Sequence, residues 1–197
     1  GVAHFLTGMM DEGAADLDSA AFQLRRDELG LRMSFDVGLD YFEGTVQSLS
    51  KNRDASFELV EKAITAPRFE ADAVERMRQN FLLDISQKND DPQHIAFAEW
   101  MKLALPGDAY ARQSIGTAET IAKLSADDLR DAHRRIFNRS TLLVGVVGDD
   151  FGPDDGAYLS TLNVAIHRGF GLGDPQSDPV DMPLTPETVW TAIRNAT

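Results

Sequence analysis

The residues able to do chemistry in this chain are few. Its four histidines are His4, His94, His133 and His167, and it has no cysteine, which removes thiolate metal ligands and disulfides together. His4 lies on an amphipathic segment, where a lone histidine is expected to be packed or hydrogen-bonded. Tight zinc sites need three or four ligands. His94, His133 and His167 match no metal-ligand spacing, and His133, beside Arg134 and Arg135, is expected at the surface. Three acid pairs, Asp11-Glu12, Asp127-Asp128 and Asp149-Asp150, could suggest general acid–base work. All fall at the ends of expected elements, where acids cap helices and aid solubility.

The elements that must position these residues are legible from periodicity. Val2, Phe5, Leu6, Met9 and Met10 have helical spacing, with Gly13 a reasonable stop. No capping residue stands before Gly1, so upstream sequence is expected. Asp18 is placed to cap a second helix ending at Gly30. Two strand-like runs follow, Leu31–Val37 and Leu39–Leu49, joined by a turn at Gly38-Leu39-Asp40. In the second, Phe42, Gly44 and Val46 share a face. Asp54 is expected to cap a helix carrying Phe57, Val60 and Ile64. A longer helix from Glu70 shows the clearest amphipathic stripe: Val74, Met77, Phe81 and Ile85. Pro92 separates it from a helix through Ile95, Trp100 and Met101. Ser125-Ala126-Asp127-Asp128 resembles a capping box opening a helix with Leu129, Ala132 and Ile136. Thr141–Val147 suits a strand buried on both faces. Beyond Asp149 the apolar patch Tyr158–Ile166 reads as a weak helix followed by an extended tail. The expectation is α+β, helices on a mainly antiparallel sheet, with one domain over 1–149 and a divergent tail over 150–197.

Bulk properties narrow the function classes. The 197 residues carry a net charge of −13, which excludes a nucleic-acid surface built on clustered Lys and Arg. Arg25-Arg26 and Arg134-Arg135 are too diluted by acids to form one. Hydrophobic residues at 43% and charged residues at 26% describe a globular chain. No run reaches the roughly 20 apolar residues of a membrane span, and no signal peptide is visible.

A series of local patterns, taken in order, resembles the M16 zinc metallopeptidases, the class of pitrilysin, insulin-degrading enzyme and the mitochondrial processing peptidases. Gly1-Val2-Ala3-His4-Phe5-Leu6-Thr7-Gly8-Met9 is similar to that family's G-[LV]-A-H-F-L-E-H-M helix. Thr65-Ala66-Pro67-Arg68-Phe69, Asp90-Asp91-Pro92, Gly107-Asp108-Ala109-Tyr110, Ile115–Ile121 and Val146-Val147-Gly148-Asp149 resemble its later landmarks. The resemblance covers residues 1–149 and implies an M16 half-domain that lacks its first strands.

In that family an inverted H-x-x-E-H motif puts two histidines on one helix face to bind Zn²⁺. The glutamate acts as general base, and a carboxylate from the long helix completes the site. Carried over residue by residue, His4 stands for the first histidine, Thr7 for the base, Gly8 for the second histidine and Asp84 for the distant carboxylate. Thr7 cannot take a proton from water near neutral pH, and Gly8 has no ligand atom. The resemblance therefore implies no catalytic residue, no intact metal set and no cofactor, zinc belonging to active members. It implies a non-catalytic subunit that pairs with a zinc-bearing catalytic subunit and helps bind peptide. A homodimer, a structural scaffold, or a metalloendopeptidase with an altered metal site are the alternatives. Family analogy points to the periplasm; composition is equally compatible with the cytoplasm.

Overall fold

The computed structural model describes residues 1–137, 142–147 and 159–166. Helices α1 (Val2–Thr7) and α2 (Ser19–Leu29) come first, followed by strands β1 (Arg32–Val37) and β2 (Phe42–Leu49). Helices α3 (Arg53–Thr65), α4 (Ala71–Asp90), α5 (Pro92–Ala104), α6 (Ala118–Lys123) and α7 (Ala126–Ile136) precede β3 (Leu142–Val147) and β4 (Leu159–Ile166). The four strands form one antiparallel sheet in the order β1-β2-β4-β3. The α+β expectation holds.

Local chemistry explains most boundaries. Asp18 accepts from the Ala21 amide at 2.8 Å, and Gly30 closes α2 in the left-handed region at φ 62°, a conformation glycine adopts without Cβ strain. The turn after β1 is closed by Gly38 N–H donating to Tyr41 O at 2.9 Å. In β2, Phe42, Gly44 and Val46 are buried and alternate with half-buried Glu43, Thr45 and Gln47. Asp91 caps α5, accepting from the Gln93 amide at 3.1 Å, with Pro92 in the first turn where a missing N–H costs nothing. Ser125 and Asp128 form the reciprocal capping box, and three basic residues fill the last turn of α7 to complement its dipole.

Three expectations change. The first helix stops at Thr7, because the Thr7 hydroxyl donates back to His4 O at 2.7 Å and Gly8 caps the end; turns carry the chain from there to Gly13. Asp54 is not the cap of α3. That helix starts at Arg53 with Asn52 at its N-cap position and no side-chain cap, and the Asn52 side-chain NH2 donates to Leu29 O at 2.9 Å. The Tyr158–Ile166 patch supplies β4, not a helix. Leu162, Val164 and Ile166 alternate with polar or small residues, and all eight positions of the strand pair with β2. The strand expected over 141–147 is present as β3, at the end of the described sheet; the burial of its side chains, the 149/150 boundary and the tail beyond Ile166 lie outside the described residues.

The core lies where α1 meets β1, α4 and α7. Phe5, Leu6, Met9, Met10, Phe22 and Phe42 are fully buried within it. Such burial contributes about 1.5–3 kcal/mol per large side chain. Arg78 on α4 fastens this core to α6, donating to Leu124 O at 2.7 Å and to Ile121 O at 2.5 Å while its guanidinium sits 5.9 Å above the Phe5 ring.

Candidate functional site

His4 is held on α1 by the burial of its neighbours Phe5 and Leu6. Its ring meets Phe81 of α4 edge-on at 5.3 Å, and Phe81 also packs on Phe5 at 5.1 Å. Burial lowers the His4 pKa below the usual histidine value, the Lys88 ammonium adds to that effect, and the Asp84 carboxylate opposes it. The imidazole is therefore neutral near pH 7.

The remaining motif positions are engaged elsewhere. The Thr7 hydroxyl is spent on His4 O. Asp84 pairs with Lys88 at 3.1 Å, one helical turn along α4, with 41% of its side chain exposed. Gly8 is half-buried, and a Cβ added there would lie 2.9 Å from Met77 Sδ and 3.2 Å from Phe81 Cε2, both closer than ordinary van der Waals contact. The place into which a side chain at position 8 would project is filled by the α4 stripe. No group of three or more His, Cys, Asp or Glu able to hold a metal ion exists among the described residues.

The structure also brings together residues that the sequence keeps far apart. A cleft of about 310 Å³ is lined by His4, Lys88, His94, Phe97, Met101 and Tyr110, with Gly38 and Leu39 from the turn after β1 at its edge. Two ring nitrogens, His4 Nδ1 and His94 Nε2, are buried with no hydrogen-bond partner. Buried polar atoms are normally satisfied, and these two nitrogens are exceptions beside the cleft. Sequence spacing could not reveal the pair, because His4 and His94 reach the cleft from α1 and α5 and share no element. The Tyr110 hydroxyl, donating to Asp40 Oδ1 at 2.5 Å, ties the loop after α5 to the β1–β2 turn.

His133 departs from its expected surface role. Its Nε2–H donates to Ile64 O at 2.7 Å and its ring stacks on Phe137 at 4.7 Å, an arrangement that locks α7 to the end of α3. Two of the three acid pairs make structural contacts: Asp11 accepts from Arg26 at 2.9 Å, Glu12 accepts from Ser19 at 2.7 Å and pairs with Arg76, and Asp128 completes the cap of α7. His167 and Asp149-Asp150 lie outside the described residues.

The sequence pattern described as Insulinase (Peptidase family M16) matches residues 1–118. The chain belongs to the M16 family. Among curated M16-like relatives it is 23% identical over 167 residues to the non-peptidase homolog YmxG of Helicobacter pylori, covering 85% of this chain and 38% of that protein. It is 22% identical over 148 residues to cytochrome b-c1 complex subunit 1, mitochondrial, of Caenorhabditis elegans, covering 75% of this chain and 31% of that one. In three dimensions it resembles the crystal structure of a peptidase M16 inactive domain from Pseudomonas fluorescens. That match has a TM-score of 0.63 and 26% identity, and covers 68% of this chain and 33% of the other. The chain thus spans about a third to two fifths of the length of the M16 proteins it matches. No helix among the described residues is long and apolar enough to cross a membrane.

Proposed function

We propose that this chain is a non-catalytic M16 subunit that holds an extended peptide and works beside a zinc-bearing catalytic partner. The observation that carries the reading is the filling of the Gly8 position by Met77 and Phe81. A histidine side chain there must displace Met77 and Phe81. Tetrahedral zinc requires three protein ligands and an open position for water. One histidine, a threonine committed to the backbone and a carboxylate paired with Lys88 do not fit it. The name of YmxG, a non-peptidase homolog, and the inactive domain among solved structures agree with this reading.

Peptide holding is supported by the arrangement of β1 and the cleft. β1 is an end strand of the described sheet, and a peptide pairing along its outer edge would extend that sheet by a strand. Gly38 and Leu39, which directly follow β1, border the His4–His94 cleft. A peptide paired along β1 would deliver a side chain to that cleft, where Phe97 and Met101 offer apolar contact.

The test uses a fluorescently labelled unstructured peptide. Anisotropy should rise with added protein, the peptide should remain intact with or without Zn²⁺, and exhaustive dialysis should leave the chain free of zinc. Chelator-sensitive cleavage, or about one tightly held zinc per chain, would sink the non-catalytic reading; absence of any binding would sink the peptide-holding one. The likeness to the cytochrome b-c1 subunit favours a second reading, a scaffold within a larger complex. Recovery of the chain in a membrane complex, with no peptide binding, would select it.

A further inference from the structure

We infer that residues 108–115 form a strap beside the cleft, latched by the Tyr110–Asp40 hydrogen bond and hinged at Gly107, and that making or breaking this contact sets access to the cleft. Two stretches far apart in the chain supply much of the cleft lining. One is Gly38 and Leu39 in the turn after β1, and the other is the run 110–115. Asp40 directly follows Leu39, and its Oδ1 accepts from the Tyr110 hydroxyl at 2.5 Å, so this bond joins the two stretches.

The partners of the latch are held differently. Asp40 belongs to a fixed turn: Gly38 N–H donates to Tyr41 O at 2.9 Å, and the Tyr41 ring lies over Gly38 so closely that a Cβ there would collide with it. The strap, by contrast, is bonded mainly to itself. The Asp108 amide donates to Leu105 O, the Arg112 amide to Ala109 O and the Gly116 amide to Gln113 O, each at 3.1 Å. Asp108 Oδ1 accepts from the Tyr110 amide at 2.9 Å. Bonds this local survive when a segment swings as one body. Its upstream end is free to turn, because Gly107 has φ +80° and nothing lies within 4 Å of where a Cβ would stand. Its downstream end is fixed: Ile115 is buried, and at Gly116 a Cβ would come within 2.8 Å of Gly1 Cα. A few terminal residues that absorb the backbone change around a rigid piece are what a hinged closure needs. The Asp40 carboxylate also holds the Tyr110 hydroxyl above its usual pKa, which keeps the donated proton in place at neutral pH. This inference concerns access to the cleft and does not depend on peptide holding.

The whole chain lacks cysteine, so spin labels on Ser34→Cys in β1 and Ala109→Cys in the strap report the distance between strap and sheet. Tyr110→Phe and Asp40→Ala should each enlarge the longer-distance population about fivefold, the worth of one hydrogen bond in an opening equilibrium. Combining them should add nothing further, because both break the same contact. Access is read separately, by sulfoxidation of the cleft-lining Met101 with dilute peroxide followed by mass spectrometry. Its rate should rise by a similar factor in both variants, while the fully buried Met9 and Met10 stay unreactive. Distances unchanged in Tyr110→Phe would overturn the latch, and longer distances without faster Met101 oxidation would overturn its control of access. Oxidation of Met9 and Met10 in step with Met101 would also overturn the proposal, since it marks a loosened core and not an opened strap. No peptide enters either readout, so a failure of peptide holding leaves the outcome intact.

Discussion

Replacing Gly8 with histidine measures directly how firmly the motif position is closed. Gly8 has φ −77° and ψ −6°, ordinary right-handed values, so a larger residue meets no backbone strain. Losing glycine's freedom in the unfolded chain should contribute about 0.4–1 kcal/mol of stability. Against this stands overpacking. Met77 is a flexible thioether whose far end can swing aside, so Gly8→Ala should fall within about 0.5 kcal/mol of wild type. An imidazole must also displace Phe81, which is held between His4 at 5.3 Å and Phe5 at 5.1 Å. That displacement should cost about 1–3 kcal/mol, leaving Gly8→His roughly 1–2 kcal/mol less stable than wild type. Adding Met77→Ala to Gly8→His should recover part of the loss, a favourable coupling of about 1–2 kcal/mol between neighbouring sites. Urea unfolding reads this as a lower midpoint with unchanged slope for Gly8→His, and a smaller penalty for it in the Met77→Ala background. Equal stability of Gly8→His and Gly8→Ala, or no coupling with Met77→Ala, would refute the claim that the α4 stripe fills the site.

Two further outcomes follow from the same structure. Burial lowers the His133 pKa below its usual value of about 6.5. The neutral ring thus stabilises the fold fully above that pH, and its contribution is lost as pH falls through the lower folded value. The unfolding midpoint should drop between pH 7 and 5, less steeply in His133→Gln than in wild type. His4, also lowered, supplies the residual slope, and identical slopes in the two proteins would contradict the assignment. Ser125→Ala removes the side-chain cap of α7 and should cost about 1 kcal/mol in urea unfolding; a change under a few tenths would mean the cap is dispensable.

Residue types and local spacing determined much of this protein. The α4 stripe, the turn at Gly38, the caps at Asp18 and Ser125, and the alternation of Phe42, Gly44 and Val46 each depend on neighbours within a turn or two of chain, so they are visible without a fold. The ordered landmarks carried the family for the same reason, and the expectation that Thr7 and Gly8 stand at the base and second-histidine positions came from that resemblance. Tertiary structure decided what occupies their place. Met77 and Phe81 close over Gly8 from α4, about seventy residues away in sequence. His94 joins His4 in one cleft through the packing of α5, and His133 turns inward because Ile64 O offers an acceptor beneath α7. β4 finds its partner in β2 across more than a hundred residues, and its short alternating run became a strand because both sides of it are paired. Periodicity reports which face of an element is apolar. Only packing of distant elements decides which atoms meet there, and Met77 and Phe81 came to lie against Gly8 in that way.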